Sequence, residues 1–393
     1  MIALIIIAAV GAVLLVTAEL VTRWWIRRRT RYCVWSPGMR LEIRQNAGLF
    51  PELERRVRFE VNADGERGGK APGDEAGVFR VLTVGGSSVE CYALDQPTTW
   101  PGRLEQLLNR PEALAMLGAR RAHVGNIGHS GVGAGELDKI LERVLPNYPR
   151  IDAIIVMVGA STAYHWLEDG APPDCEPAVV PEQLLFARHP QKPFGWHPRA
   201  TALLEVARRL RQTWLRPVTV KEDVGAWLVA GRTMRAEAKE IRTTVPDPGV
   251  VLAHFEDYFR RSVRRAMLRA SRVLVVRQPW FDREQYTAEE EGRFWHGGVG
   301  RPWKEKVNVY FSLQIINRIL SLIDDRVVAV AEELGVPNLT LRPQLNQGLR
   351  HYYDHDHFTP EGAAVAAQVI AAALTPSVRR VTQPRMPLAA RGA

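Results

Sequence analysis

Short apolar runs rich in β-branched residues alternate with amphipathic segments over most of the chain. The runs have the length of buried strands, and the amphipathic segments have the length and period of helices. This alternation predicts an α/β fold built on a doubly wound parallel sheet. The predicted strands are residues 57–61, 81–84, 123–127, 151–158, 272–276 and 336–341, and the predicted helices are residues 100–108, 113–119, 136–145, 200–215, 250–270, 307–334 and 359–373.

The N-terminus has a different pattern, because no charged side chain occurs from Met1 to Ala18. This stretch is about long enough to cross a bilayer, and Trp24 and Trp25 then stand where an interfacial aromatic belt would lie. We therefore predict a single-pass transmembrane anchor over residues 1–26. A cleaved signal peptide is the competing interpretation. Against it, no Lys or Arg precedes the apolar run and no small-x-small cleavage site is evident.

The rest of the chain divides into three parts. Residues 27–78 are mixed in character and read as a juxtamembrane lead-in that packs on the main domain. Residues 79–375 carry the strand–helix alternation, which a proline-rich loop and helices interrupt at 165–270 as either an insertion or a lid. Residues 376–393 are basic and contain proline, which predicts a disordered tail.

A serine stands at a sharp strand-to-helix turn in the first part of the main domain. The predicted strand 81–84 runs directly into Gly85, Gly86, Ser87 and Ser88. Glycine tolerates the positive φ that so sharp a turn requires, and the turn exposes the serine hydroxyl at the carboxyl edge of the sheet. On these local features alone, a structural turn and a nucleophile are equally good interpretations of Ser87.

A histidine and a carboxylate lie far downstream, just before the closing helix. Asp354 and His357 are three residues apart in a predicted loop, so both side chains can face the same way. A carboxylate on one imidazole nitrogen fixes the tautomer and leaves the other nitrogen as a general base toward a serine hydroxyl. Together with Ser87, this pair predicts a nucleophile, a base and an orienting acid.

With these residues the chain resembles the SGNH (GDSL-like) hydrolase family. Four stretches match the family's blocks in order, over about residues 81–374: Gly85-Gly86-Ser87, Asn126-Ile127-Gly128, Gly159-Ala160-Ser161-Thr162, and Asp354-x-x-His357. The resemblance implies a flavodoxin-like three-layer sandwich in which Ser87 attacks an ester carbonyl. It also implies that His357 is the base, that Asp354 orients it, and that the Ser87 and Gly128 amides hold the oxyanion.

Two positions depart from the family pattern. Gly86 replaces the usual aspartate and keeps the turn. Ser161 replaces the asparagine of the third block, and Thr162 replaces its aspartate. As an oxyanion donor, a serine hydroxyl reaches less far than a carboxamide, and loss of one such donor costs about 10²–10³ in turnover.

Two functions follow from these motifs. The first is a membrane-anchored serine esterase that hydrolyses or transfers a short acyl group on a carbohydrate or lipid, with no cofactor. The second is a catalytically weak or inactive relative that binds acylated or glycan ligands, with the altered third block as its trace. Trp166, Trp280 and Trp295 are candidates to line a sugar-binding cleft by stacking.

Charge and cysteine content indicate which binding partners to expect. The 393 residues carry a net charge of +9, but no nucleic-acid-binding pattern appears, so we expect no nucleic-acid partner. The three cysteines lack metal spacing, and no metal site is predicted. The alternative is a divalent metal cluster in the downstream loop, formed by His351, Asp354, His355, Asp356 and His357.

The face of the membrane on which the domain lies is contested by two arguments. Five arginines lie between Arg23 and Arg31, and the positive-inside rule places such a flank in the cytoplasm. The family resemblance instead implies esters of the cell envelope or exterior. The expectation leans toward the extracytoplasmic face.

Overall fold

A computed structural model describes residues 1–45, 51–174, 176–191, 194–215, 217–221, 225–345 and 348–375. The predicted tail and Cys175 lie outside these ranges. The strands are β1 (Arg40–Arg44), β2 (Arg56–Glu60), β3 (Val78–Gly85), β4 (Arg121–Asn126), β5 (Ile151–Met157), β6 (Val218–Lys221), β7 (Glu240–Arg242), β8 (Ala270–Val276), β9 (Val309–Phe311) and β10 (Asn338–Leu339).

The α-helices are α1 (Ile2–Arg29), α2 (Ser87–Glu90), α3 (Trp100–Leu108), α4 (Pro111–Leu117), α5 (Ala134–Val144), α6 (Ala160–Glu168), α7 (Glu182–Leu185), α8 (Ala202–Leu215), α9 (Ala226–Ala236), α10 (Gly249–Met267), α11 (Ala288–Glu291), α12 (Leu313–Glu333) and α13 (Pro360–Leu374).

The central sheet has five strands in the order β10-β8-β5-β3-β4, and its neighbours are all parallel. The chain moves outward from β3 to β4 and then crosses back past β3 to β5. Because parallel crossovers are right-handed, this reversal places the connecting helices on both faces of the sheet. The predicted parallel α/β sheet is therefore confirmed.

The core lies between this sheet and its helices. Every residue of β3 and β5 is buried, as expected for parallel strands covered on both faces. Helix α3 packs against α13, and α10 packs against both α5 and α12. The predicted insertion at 165–270 included α10, but this helix is the crossover between β5 and β8 and belongs to the main core.

A second, three-stranded sheet joins the lead-in to the insertion. Strand β1 pairs with β2 antiparallel and with β6 parallel, and β6 comes from within the insertion. Ile43, Val57, Phe59 and Val61 form its small core. Strand β1 was not predicted, although its alternating Arg-Leu-Glu-Ile-Arg sequence is typical of a half-buried strand.

The largest differences between predicted and observed bounds concern one helix and one strand. The helix predicted over 307–334 begins only at Leu313, because Val309–Phe311 forms β9 and pairs with β7. Ser312 then caps the helix by accepting the Ile315 N–H. The strand predicted over 336–341 is reduced to Asn338–Leu339 at the sheet edge, where Pro337 has no N–H to donate.

Helix α1 is continuous over the predicted anchor. Among the described residues it alone is long and apolar enough to cross a membrane. The apolar segment of a signal sequence can have the same length and composition. Its charged end contacts the insertion: Glu19 pairs with Arg23 and is buried by the start of α8.

Candidate active site

The serine turn lies at the carboxyl edge of the central sheet. Gly85 ends β3 with a φ of +152°, and a Cβ at this position would lie 1.8 Å from the Met157 carbonyl oxygen on the neighbouring strand β5. Only glycine fits such a close approach of two strands. Helix α2 starts directly afterwards at Ser87, whose side chain is partly exposed. The chain therefore presents this hydroxyl at the edge of the sheet.

The downstream loop brings its histidine to that hydroxyl. His357 Nε2 lies 2.7 Å from Ser87 Oγ, and His357 Nδ1 lies 2.8 Å from Asp354 Oδ2. The two ring nitrogens are thus hydrogen-bonded to different partners, as a serine–base–acid relay requires. The three side chains meet across 267 residues of sequence, from Ser87 to Asp354.

Asp354 is fully buried and accepts several hydrogen bonds. Its Oδ1 accepts the backbone N–H groups of Asp356 and His357, and its Oδ2 accepts the indole N–H of Trp295 at 3.0 Å. Burial raises the pKa of this carboxyl, but the charge and hydrogen bond of His357 outweigh burial and hold the pKa well below its usual range. Asp354 is therefore an ionised acceptor locked in one orientation.

A second buried carboxylate flanks the histidine. Asp356 Oδ1 lies 3.5 Å from His357 Nδ1 and 3.8 Å from His296 Nε2. Burial is the largest effect on Asp356 and raises its pKa. Burial also lowers the pKa of His357, but the charges of Asp354 and then Asp356 outweigh it and raise the pKa to about 10. Two carboxylates therefore stabilise the protonated imidazole.

The side chains around His357 also form a group that could bind a metal ion, as the alternative interpretation of this loop requires. One ligand atom from each of His296, Asp354, Asp356 and His357 falls within 4.8 Å of the others, a grouping that could hold a cation. His355, which the alternative included, is engaged elsewhere: Tyr164 Oη lies 3.0 Å from its Nδ1, and its Nε2 donates to Asn317 Oδ1. Within the described chain, the distant member of the group is His296, which the sequence analysis did not identify.

Two of the three residues predicted to hold an oxyanion, Ser161 and Gly128, have different surroundings. Ser161 lies in the first turn of α6, and a Cβ placed on Gly86 would lie 3.4 Å from its Oγ. The Gly128 N–H instead donates to Asn126 Oδ1 at 2.8 Å. Asn126 also donates to the Val89 carbonyl, so its side chain ties the segment after β4 to helix α2. The Gly128 amide is thus already engaged, contrary to the expectation for an oxyanion donor.

Other amides near the turn are free of such bonds. Neither Ser87 N–H nor Gly131 N–H makes a hydrogen bond within the described part of the chain. Gly131 has a φ of +77° and lies with Gly128 in residues 127–133 between β4 and α5, hereafter the glycine loop. Gly128 has a packing role, because a Cβ there would lie 2.6 Å from the backbone nitrogen of Glu90 on α2.

Several residues that support the site were missed by sequence reasoning. Ser88 Oγ donates to the Asp356 carbonyl at 3.0 Å and accepts from Gln278 Nε2 at 2.9 Å, which ties α2 to the histidine loop. From α9, Arg232 donates to the Tyr353 carbonyl and Arg235 to the His296 carbonyl. The adjacent Ser-Ser pair was a visible signal for Ser88. Nothing in the sequence pointed to the arginines.

The proposed sugar-stacking tryptophans are not available for that role. Trp166, Trp280 and Trp295 are all buried. Trp166 donates to the Pro172 carbonyl, and Trp295 donates to Asp354. The expectation of an exposed stacking platform at these positions is wrong, because their indoles serve the core and the candidate site.

Comparisons with known proteins give distant likenesses. No family model and no curated protein matches the chain. Among solved structures, the acetylxylan esterase Axe2 from Geobacillus stearothermophilus is 13% identical, with a TM-score of 0.39 over 75% of this chain and 94% of that one. LAE5, an alpha/beta hydrolase enzyme from the metagenome of Lake Arreo, Spain, has the same identity, coverage and TM-score. Function is accordingly argued from the site itself.

Proposed function

We propose that the protein is a serine esterase of the SGNH type. The observation that carries this proposal is the continuous chain of hydrogen bonds from Ser87 Oγ through His357 to Asp354. A partly exposed hydroxyl with a base on one side and a buried, ionised acid behind that base is the arrangement of an activated nucleophile.

The reaction proceeds in two steps. Ser87 Oγ attacks the ester carbonyl carbon while His357 Nε2 takes the hydroxyl proton, and the imidazolium returns this proton to the leaving alcohol oxygen. The acyl group is then an ester of Ser87. Water then attacks the acyl carbon while His357 takes its proton, and the imidazolium gives that proton to Ser87 Oγ as the bond to the acyl group breaks and the carboxylic acid leaves. An acceptor alcohol in place of water completes an acyl transfer by the same route.

The negative oxygen of each tetrahedral intermediate requires donors. We propose Ser87 N–H and Ser161 Oγ for this role, because the first belongs to the nucleophile itself and the second reaches from α6 to Gly86 in the same turn. Within the glycine loop, we propose Gly131 in place of Gly128, since the Gly128 N–H is bonded to Asn126.

The substrate class proposed is a short acyl ester of a carbohydrate or lipid, and α1 is proposed as a retained membrane anchor. We place the domain on the extracytoplasmic face. Protease added to intact cells tests this placement. Digestion of the part after Tyr32 supports it, and survival until the membrane is breached shows that the arginine flank determined the orientation.

The catalytic proposal is tested on the purified full chain in detergent. Release of p-nitrophenol from p-nitrophenyl acetate and labelling by a fluorophosphonate probe are both expected, with the probe mapped to Ser87 by mass spectrometry. Ser87→Ala should abolish both signals. Ser271→Ala removes an exposed serine near the amino end of β8, at the opposite edge of the sheet from Ser87, and should leave both intact.

The rival function is a binding protein for acylated or glycan ligands. The Ser161 replacement and the engaged Gly128 amide are the observations that favour it. Absence of both hydrolysis and labelling in a folded wild-type chain would support this rival and contradict the esterase.

A further inference from the structure

The charged end of α1 and the start of α8 are joined through one carboxylate. Glu19 Oε1 accepts the Ala202 N–H at 2.7 Å, and Glu19 Oε2 accepts the Leu203 N–H at 3.0 Å. The first amides of a helix have no partner within the helix, and a carboxylate there is stabilising. Glu19 is 3% exposed. The anchor helix therefore supplies the N-terminal cap of α8.

Arg23, one turn further along α1, binds the segment that precedes α8. Its guanidinium donates to the Phe194 carbonyl at 2.6 Å and to the Gly195 carbonyl at 2.8 Å. The same group lies 4.6 Å from the ring centroid of Trp196. Residues 194–203, hereafter the docking loop, are thus held at the level of Glu19 and Arg23.

The position of this loop relative to a bilayer follows from the length of α1. The uncharged stretch from Met1 to Ala18 spans about 27 Å as a helix, close to the thickness of a hydrocarbon core of about 30 Å. Glu19 and Arg23 then lie at the boundary between hydrocarbon and headgroups. The docking loop is fixed at that same height.

We propose that the docking loop is a membrane-contact surface whose partner is the headgroup layer of a bilayer that contains anionic lipids. This inference rests on the proposed anchor. It goes beyond it, because it makes the insertion a second element seated in the interface and the domain a body docked on the membrane.

Exposed aromatic side chains support this partner. Trp196 is 64% exposed, and Trp24 and Trp25 on α1 are 55% and 42% exposed. Three indoles at one level form the belt that tryptophan makes at membrane–water boundaries. Trp196 contacts the Arg23 guanidinium, and most of its surface nevertheless remains open to the surroundings.

The charge of the surroundings complements anionic headgroups. Arg27, Arg28 and Arg29 occupy the exposed last turn of α1, and Arg199 is exposed in the docking loop itself. Each basic residue near an anionic surface contributes about 1 kcal/mol of attraction. The observations therefore favour a lipid surface over a second copy of this basic chain.

Helix α8 leads away from this surface. Its start is at Glu19, and Arg209 further along donates to Thr30 just beyond the end of α1, so the two helices run in the same direction. Trp214, 12 residues after Ala202, lies about 18 Å further along the helix axis. It is 80% exposed and serves as a matched control for Trp196.

The test uses the full chain in nanodiscs of phosphatidylcholine and phosphatidylglycerol, with Cys175→Ser as background. Cys33 and Cys91 are buried, and burial raises the pKa of their thiols to about 11 and about 12, so they react slowly. A polarity-sensitive fluorophore is attached to Trp196→Cys or Trp214→Cys. We expect quenching by headgroup spin-labelled lipid at position 196, and only aqueous iodide quenching at position 214.

Equal lipid quenching at both positions, or none at position 196, would overturn the contact. Iodide quenching at position 196 could instead fall as the number of protein copies per nanodisc rises, independently of the lipid. That result would show that a second copy of the chain covers the docking loop. Intact-mass analysis separates the anchor from the contact: a chain that has lost residues 1–26 overturns both. Esterase activity enters none of these measurements.

A second variant tests the join between anchor and loop. Glu19→Gln removes the charge that caps α8, and hydrogen exchange of the docking loop should become about tenfold faster in nanodiscs. Glu205→Gln changes a carboxylate of the same helix that pairs with Arg209, and should leave the loop unchanged. Unchanged exchange in Glu19→Gln would contradict a loop held by the anchor.

Discussion

The acid–base side and the oxyanion side of the candidate site are built very differently. On the acid–base side, Asp354 is completely buried and accepts from His357, Trp295 and two backbone amides. On the oxyanion side, Ser161 offers a single short hydroxyl and the Gly128 amide is engaged by Asn126. The proton relay is therefore over-determined, whereas stabilisation of the developing negative charge depends on few donors.

This contrast predicts which substitutions should change the rate of ester hydrolysis most. A densely bonded relay loses much when its central acceptor is changed, because all of its donors then lose their common partner. On the oxyanion side, which has few donors, a substitution should cost less activity, and an added donor can raise it. The four expectations below test this difference, from the largest effect to the smallest.

Asp354→Asn should lower kcat for p-nitrophenyl acetate by about 10³–10⁴, because the amide presents an NH₂ where His357 needs an acceptor and fixes the wrong tautomer. The shape of the side chain is preserved, so the circular dichroism spectrum should not change. Asp325→Asn, at an exposed position of α12, is the control and should retain wild-type kcat. Equal activity in the two variants would contradict the relay.

Trp295→Phe should lower kcat by about tenfold, the cost of one hydrogen bond to a charged acceptor. The substitution removes the N–H to Asp354 Oδ2 and, with it, the pyrrole part of a buried ring. Trp227→Phe alters the indole that packs edge-on against Trp295 and makes no bond to the acid, so its kcat should stay within about twofold of wild type. A larger loss in Trp227→Phe than in Trp295→Phe would assign the effect to packing.

Asp356→Asn should move the pH profile. His357 must be neutral to accept the serine proton, so the rate rises with pH through its raised pKa. Removing the Asp356 charge lowers that pKa, and the rising limb should shift to lower pH by about one unit. Because the wild-type limb is centred on a pKa of about 10, activity is measured from pH 7 to 11 and corrected for spontaneous hydrolysis of the ester. A shift to higher pH would show that Asp356 does not face His357 as a charge.

Ser161→Asn is the smallest expected change and tests the sparse side. A carboxamide reaches further than a hydroxyl, so kcat should be unchanged or higher. A fall of more than about tenfold, roughly 1.4 kcal/mol of barrier, would instead give Ser161 a required role of its own. The melting temperature of the variant, measured alongside, separates a loss of fold from a loss of chemistry.

Much of the framework was accessible from the sequence because it is encoded locally. The buried strands β3 and β5 are mostly apolar, interrupted only by Arg80, Thr83 and Asp152, and the glycines at or just after their ends mark the sheet edge. Asp354 and His357 are three residues apart in one loop, so their pairing could also be predicted from the local sequence. Strand β9 was wrongly predicted as helix. Val309–Phe311 is apolar enough for a helix or a strand, and it forms a strand because it pairs with β7.

The sequence by itself determined the parallel α/β order, the apolar helix α1, and the serine, histidine and aspartate as candidates. Only the tertiary structure decided that Trp295, His296 and Ser88 surround that relay, since these contacts join residues far apart in the chain and leave no periodic signal. It also decided that Asn126 occupies the Gly128 amide and that Glu19 caps α8. Periodicity reports which side of an element is buried, whereas the partner of a polar group depends on which elements the fold brings together.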